Sequence, residues 1–126
     1  MRPGLHWHPM QIQVTSLGNV VRATTSGGLL RRAAAGQLCA AIEVEATACA
    51  TRPGLLFDLG GLSRATPAAG LYAIRRLRTL PVERIALFGA NRLMRGFAGL
   101  VLFLGRFPEH RFFANEQAAT EWLTAG

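Results

Sequence analysis

The sequence predicts an α/β fold with a mostly parallel sheet, and three observations lead to this prediction. Short apolar runs alternate with longer segments rich in alanine, leucine and arginine, a pattern typical of βαβ units. Residues 55–61 form an apolar run that ends in a glycine-rich turn, as expected of a strand that leaves the core. Thr66 then supplies a helix N-cap, and Pro67 stands at the first helical position.

Turn and capping residues separate the predicted elements. Turn residues at 17–19 predict a hairpin between the first two strands, and proline at 53 and 81 ends the first two helices. Asn115 is the expected N-cap of the last helix, with Glu116 in its first turn. In chain order we expect strands at 11–15 and 20–24, a helix at 29–51, a strand at 55–59, a helix at 67–80, a strand at 84–89, a helix at 91–107, a strand at 110–114 and a helix at 116–124.

Length and composition indicate one folded domain. The chain has 126 residues, of which 50% are hydrophobic, so we expect a short N-terminal extension at 1–10 and a domain at 11–126. The net charge of +7 is carried by arginine without any lysine. These arginines are scattered, and Arg75, Arg76 and Arg78 are not interleaved with aromatic residues, so nucleic-acid binding is not favoured.

The cysteines and the hydropathy pattern suggest a cytoplasmic protein. Cys39 and Cys49 fall in one predicted helix, about 15 Å apart along its axis, which is too far for a disulfide. They are therefore expected as small core residues in a reducing compartment. The N-terminus has no apolar signal segment, and the longest apolar stretch, 96–105, is about half as long as a membrane span requires. We predict no transmembrane segment.

The order of these elements resembles the STAS fold of sulfate-transporter tails and bacterial anti-sigma-factor antagonists. The resemblance extends from about residue 11 to 123. It rests on the strands at 56–62 (Leu-Phe-Asp-Leu-Gly-Gly-Leu) and 84–89 (Arg-Ile-Ala-Leu-Phe-Gly) and on the closing segment 112–123. The chain is most similar to small stand-alone bacterial STAS-like proteins, which are related to lipid-binding CRAL-TRIO domains. This resemblance implies a regulatory module that binds other proteins and is not an enzyme.

One departure from this family is informative. Antagonists of this fold carry an Asp-Ser-Ser-Gly-type segment at a helix N-terminus, and a partner kinase phosphorylates its serine, at a position where helix N–H groups favour a phosphate. The corresponding residues here are Thr66, Pro67, Ala68 and Ala69. The usual phosphorylatable serine is therefore missing.

No motif for catalysis, metal binding or cofactor binding is present in the sequence. His6 and His8 flank a tryptophan near the N-terminus, but two histidines without further ligands make a poor metal site. Asp58 is expected to accept hydrogen bonds from the turn at 60–61. Candidate residues for phosphorylation or anion binding lie in loops and at helix starts: Ser63, Thr66, Asn91 and Arg92.

The helix at 91–107 is the strongest functional clue, because it is apolar on almost every side. Helical spacing suggests that one face packs on the sheet: Leu93, Phe97, Leu100, Val101, Leu104 and Phe107. The opposite surface is then a candidate interface for a homodimer or another protein: Met94, Arg95, Ala98, Leu102, Phe103 and Arg106.

Three alternatives remain open for this helix. Leu102 and Phe103 could pack under the last helix as ordinary core residues. Arginine-flanked apolar residues would also suit an anionic lipid surface. The resemblance to lipid-binding folds also implies a lid over a cavity for a lipid or small apolar ligand, lined by Phe97, Phe103 and Phe107.

Overall fold

A five-stranded sheet forms the centre of the structure. The computed structural model describes residues 11–107 and 109–125; the predicted extension at 1–10 lies outside this part, together with His6 and His8. The strands are β1 (Gln11–Leu17), β2 (Val20–Ser26), β3 (Gly28–Leu30), β4 (Gly54–Asp58), β5 (Leu62–Ala65), β6 (Ile85–Phe88) and β7 (His110–Phe113). The helices are α1 (Arg32–Thr47), α2 (Pro67–Leu77), α3 (Arg92–Leu104) and α4 (Glu116–Thr124).

The sheet has the strand order β1-β2-β4-β6-β7. β1 and β2 form the predicted antiparallel hairpin, and each of the other neighbouring pairs is parallel. The predicted fold class, a mostly parallel mixed sheet with an N-terminal hairpin and four helices, is therefore confirmed. Parallel strands require crossovers, which the helices supply.

The two faces of the sheet bury separate sets of side chains. Leu55, Ile85 and Leu87 point into the larger core, which α1, α2 and α3 cover. Alternate residues point the other way, and Leu56 and Ala86 pack against α4. The alternative in which Leu102 and Phe103 are core residues under the last helix is correct in part, since Leu102 is buried in the core. Its placement under the last helix is wrong, because α3 and α4 cover opposite faces of the sheet, and Phe103 is exposed.

Side-chain caps define the start of three helices. Thr66 accepts a hydrogen bond from the Ala69 N–H at 3.1 Å, so the predicted cap of α2 is confirmed, with Pro67 following it. Asn91 caps α3 at 2.7 Å, and Asn115 caps α4 at 2.9 Å. These caps satisfy backbone donors that have no partner within the helix.

A second, two-stranded sheet, which the sequence did not predict, lies beside the central one. β3 and β5 pair in parallel, where the sequence predicted the start of a helix and a loop. Gly61 allows this arrangement, because a Cβ atom at that position would stand 1.7 Å from the carbonyl oxygen of Thr25. Only glycine permits the turn after β4 to lie against the backbone at the end of β2.

The first helix is shorter than predicted. It begins at Arg32, because β3 occupies the preceding residues, and it ends at Thr47. Cys49 therefore lies beyond the helix, which corrects its predicted place, and its thiol donates to the Glu45 carbonyl oxygen at 3.5 Å. Both cysteines are free, and Cys39 is buried.

Among the described residues, none of the helices combines the length and apolarity that crossing a bilayer requires.

The close approach at Gly61 generates a stability prediction. Gly61→Ala is expected to lower the free energy of unfolding by about 3 kcal/mol or more, because the added methyl group meets fixed backbone. Gly36→Ala is the control: its Cβ would stand 3.6 Å from the Tyr72 hydroxyl oxygen, an ordinary contact, and alanine favours helix by up to about 1 kcal/mol. Urea unfolding followed by circular dichroism measures both. Equal midpoints for Gly61→Ala and wild type would contradict the close approach.

Candidate interaction surface

Two neighbouring helices, α2 and α3, form the candidate interaction surface. They pack closely where glycine replaces a side chain. A Cβ at Gly70 would stand 2.9 Å from Phe97 Cζ, and a Cβ at Gly105 would stand 2.6 Å from Leu77 Cδ1. The start of α2 therefore contacts the first half of α3, and the end of α2 contacts the end of α3. The two helices therefore run in the same direction, side by side.

This packing turns α3 differently from the prediction. Met94 and Leu102, predicted to lie on the opposite surface, are only 2% and 4% exposed. Leu93 and Leu100, predicted to face the sheet, are 64% and 57% exposed.

The predicted face of α3 is therefore correct in part and wrong in part. Val101 and Phe107 are buried and Phe97 is half-buried, as predicted. Leu93, Leu100 and Leu104 are exposed, because the helix is rotated relative to the prediction. The side that faces the core carries Met94, Val101 and Leu102 and ends at Gly105, where Leu77 of α2 approaches.

The structure consequently buries some of the candidate interface residues and exposes others. Met94 and Leu102 belong to the core, and Ala98 is half-buried against it. Phe103, Arg95 and Arg106 are exposed. The interface candidates Leu93, Leu100 and Leu104 were missed, because α3 is apolar on almost every side and helical spacing alone did not select the buried face.

We call the exposed apolar surface of these two helices the outer α3 face. Phe103, at 74%, is the most exposed large hydrophobic residue in the described part of the chain. Five of the seven such exposed residues lie on α2 or α3, which makes one concentrated patch rather than scattered positions. The outer α3 face consists of Leu71, Leu93, Gly96, Leu100, Phe103 and Leu104.

The residues that border the outer α3 face carry positive charge. Neither α2 nor α3 contains an acidic residue. Within residues 11–107 and 109–125, none of the bordering arginines lies within 4.0 Å of a carboxylate. The Arg95 guanidinium lies 5.3 Å from the centre of the Phe112 ring, a cation–π distance. The bordering arginines are Arg75, Arg78, Arg92, Arg95 and Arg106.

Arg76 does not belong to this border, although the sequence analysis grouped it with Arg75 and Arg78. Its guanidinium donates to a Glu43 carboxylate oxygen at 2.8 Å and to the Tyr72 hydroxyl at 3.3 Å. Arg76 therefore connects α2 with α1, whereas Arg75 and Arg78 are exposed to solvent.

The proposed ligand cavity is small. An apolar cavity of about 100 Å³ lies between the sheet and the three helices that cover it, and it is lined by residues such as Leu38, Cys39 and Phe97. Phe103 lies on the outer α3 face, and Phe107 does not line the cavity. An apolar cavity of roughly 150 Å³ holds one benzene molecule, so this cavity has no room for a lipid chain. Burial raises the pKa of the Cys39 thiol above its ordinary value.

The candidate residues for phosphorylation or anion binding gather at one edge of the structure. Asn91 donates to the Ser63 carbonyl oxygen at 3.3 Å, so β5 and the start of α3 are in contact. The Ser63 hydroxyl donates to the Gly28 carbonyl oxygen at 3.1 Å, whereas Thr66 caps α2. Arg92 is exposed. The polar groups of Ser63, Thr66 and Asn91 thus have internal partners, and modification or anion binding there stays a prediction.

A polar cluster on the opposite face of the sheet was not anticipated. Arg22 donates two hydrogen bonds to the Glu116 carboxylate, at 2.9 and 3.0 Å, and lies 3.9 Å from Asp58. Asp58 accepts the Gly60 N–H at 2.8 Å, as predicted. Hydrogen bonds from Arg22 hold the pKa of the Glu116 carboxyl below its ordinary value. No sequence signal could have paired Arg22 with a residue 94 positions away.

In the part of the chain that the structure describes, no three His, Cys, Asp or Glu side chains come together in a way that could hold a metal ion.

Comparison with known proteins identifies the class of fold. No protein-family model matches the chain. No curated protein matches it either. An uncharacterised DUF3478-family protein with a SpoIIAA-like fold, from Shewanella loihica PV-4, superposes with a TM-score of 0.65 and 18% identity, covering 98% of both chains. The anti-sigma factor antagonist SpoIIAA in its unphosphorylated form gives a TM-score of 0.61 and 19% identity, covering 89% of this chain and 96% of that one. The chain therefore has a STAS-like fold, which confirms the resemblance seen in the sequence.

The orientation of α3 is testable with two adjacent residues. Leu102→Ala is expected to lower the free energy of unfolding by about 2–5 kcal/mol, because it leaves a cavity in the core. Phe103→Ala is expected to change it by about 0.5 kcal/mol or less, since that side chain is exposed. Urea unfolding measures both variants. A larger loss for Phe103→Ala would contradict the observed orientation of the helix.

The Arg22–Glu116 pair generates a pH prediction. Because the pKa of Glu116 is lowered in the folded state, its contribution is present above the unfolded carboxyl pKa of about 4.3 and is lost as the pH falls. Glu116→Gln is expected to cost about 0.5 kcal/mol at pH 7, as usual for an exposed pair, and nothing near pH 3. Urea unfolding at both pH values measures this. Glu121→Gln on the same helix is the control, and an equal loss for both variants at pH 7 would refute the assignment.

Proposed function

We propose that this protein is a non-enzymatic regulatory module of the cytoplasm that works by binding other proteins. The outer α3 face carries the proposal. A contiguous apolar patch with a polar border is the usual appearance of an interaction site. Large aromatic residues and arginine are enriched in such sites, and Phe103 and the bordering arginines supply both. The fold supports the same conclusion, since SpoIIAA is an anti-sigma factor antagonist.

The polar residues support a role without catalysis. Asp58 lies at a strand end, where α/β enzymes often place catalytic groups, but it holds the turn at Gly60 and faces Arg22. Thr66 and Asn91 cap helices. The raised pKa of Cys39 leaves it a poor nucleophile. Each of these groups already has a structural role.

Regulation in this proposal does not depend on a phosphoserine at the start of α2. The segment that carries the serine in related antagonists reads Thr66, Pro67, Ala68 and Ala69 here. The Thr66 hydroxyl already accepts the Ala69 N–H as the helix cap. The binding state of the outer α3 face is then controlled by the availability of its partner.

Affinity capture tests the proposal. The immobilised protein is exposed to a lysate of the cells that produce it, and bound proteins are quantified by mass spectrometry. Phe103→Asp is expected to lower the capture of specific partners about 10-fold or more, because a buried aromatic anchor contributes about 2 kcal/mol or more to binding. Thermal unfolding of the same variant should match wild type, since Phe103 is exposed.

Leu17→Asp is the matched control. Leu17 is also a large exposed hydrophobic residue, but it lies at the end of β1, in the N-terminal hairpin. The control variant should capture the same proteins as wild type. If Phe103→Asp and Leu17→Asp both capture the wild-type set, the outer α3 face is not the binding site and the proposal fails.

A further inference from the structure

One row of arginines follows the flank of α3 that points away from α2. Arg92 and Arg95 lie within about 60° of each other around the helix axis, since they are three residues apart. Phe97, which contacts Gly70 of α2, lies about 150° from both of them. Arg106 follows directly after the C-cap of the helix, and all three arginines are exposed. On the solvent side, the exposed leucines of α3 therefore lie between this row and α2.

A second row of arginines lies on α2, across the exposed leucines from the first. Arg75 and Arg78 follow Leu71 by four and seven residues, so the three share one face of α2, and all are exposed. Glu83 lines a small pocket with Arg78 and Arg106. Among residues 11–107 and 109–125, however, no carboxylate lies within 4.0 Å of either row. An apolar strip between two rows of unpaired cations is complementary to an apolar strip between two rows of carboxylates.

Two glycines in the middle of α3 indicate a partner that approaches this helix closely. A Cβ at Gly96 would have no atom within 4 Å, and one at Gly99 would meet only Phe112 Cε1, at 4.0 Å, an ordinary contact. The packing among the described residues therefore requires neither glycine, although glycine destabilises a helix relative to alanine. Missing side chains let a second backbone come near. A bilayer would gain more from larger apolar side chains at both positions.

The apolar centre of the outer α3 face also separates a protein partner from a nucleic acid. A phosphate backbone would bind the arginines but would leave Leu93, Leu100 and Leu104 against a charged surface, without apolar contact. Single-stranded nucleic acid binds on several stacked aromatic rings, and the outer α3 face carries one, Phe103. The combination of leucine and arginine thus favours a protein surface that is both apolar and acidic.

We propose that the outer α3 face binds an acidic, amphipathic helix of another protein. The apolar side of that helix covers Leu93, Leu100 and Phe103, and its Asp and Glu side chains reach the arginines in both rows. Amphipathic helices commonly bind in this way. α3 has 13 residues and is about 20 Å long, so the matching segment has about four turns. A second copy of the chain does not fit, because α2 and α3 offer no carboxylate to these arginines. The inference rests on the proposed function, since it specifies the partner of the same face.

Charge reversal in both rows tests the proposal. Capture from the same lysate is measured for the proteins that Phe103→Asp releases. Arg75→Glu combined with Arg95→Glu should lower their capture about 10-fold or more, because like charges then face each other across the interface. Arg111→Glu is the matched control and should capture like wild type. Arg111 is also exposed and also lies over an aromatic ring of β7, as Arg95 does, but it is on the opposite face of the sheet.

A carbodiimide crosslinker locates the carboxylates of the partner, because the chain has no lysine. Arg95→Lys keeps the positive charge and introduces the single side-chain amine of the chain. A water-soluble carbodiimide then couples this amine to Asp or Glu of a captured protein, and peptide mass spectrometry identifies the coupled residue. The coupled residues should lie in an acidic segment whose apolar residues recur at helical spacing. Arg111→Lys should give no coupling to the same protein.

The results separate this inference from the proposed function. Proteins may not depend on Phe103 at all: if Phe103→Asp changes the capture of none, both fail. If Phe103-dependent proteins are unaffected by the charge reversal, or couple outside an acidic amphipathic segment, the inference fails and the proposed function stands. Capture that nuclease treatment abolishes would overturn the inference in favour of a nucleic acid. Phe103-dependent binding to vesicles of phosphatidylglycerol, without any Phe103-dependent protein, would overturn it in favour of a lipid surface.

Discussion

The close packing of α2 against α3 determines the rotation of α3 about its own axis. That rotation decides which apolar side chains of α3 are exposed to solvent. Gly105 allows the end of α2 to lie against α3, which brings Leu77 into contact with its backbone. This contact directs Met94 and Leu102 into the core and leaves Phe103 in solvent. A different rotation of the same helix would bury the outer α3 face. The packing of two backbones therefore determines which apolar side chains are available for binding.

Much of the fold could be predicted because its signals are local. Proline, glycine and capping residues such as Thr66 and Asn115 mark element boundaries within a few positions of the chain. The pairing of β3 with β5 was missed because it depends on the contact between Gly61 and Thr25, which are 36 positions apart and carry no matching pattern. The rotation of α3 was missed for a related reason. A helix with apolar residues on almost every side does not indicate which side is buried, so helical spacing could not select the apolar residues that are exposed.

The two faces of the sheet are stabilised by different means. On one face, apolar contacts from α1, α2 and α3 form a single large core, with the Arg76–Glu43 pair joining two of its helices at the surface. On the other face α4 covers a small cluster, and polar contacts fasten both of its ends. Arg22 binds Glu116 at the first turn, and Arg84 lies 4.7 Å from the centre of the Trp122 ring near the last. The polar residues thus contribute chiefly to holding the fold.

The charged border of the outer α3 face has a consequence for control of the protein. All five bordering cations are arginines, and the chain has no lysine whose charge acetylation could remove. Neither α2 nor α3 contains a histidine or a carboxylate. Lysine-modifying enzymes therefore cannot change the charge of this border. Under the proposed function, occupancy of this surface then depends on the concentrations of the protein and its partner, which synthesis and degradation determine.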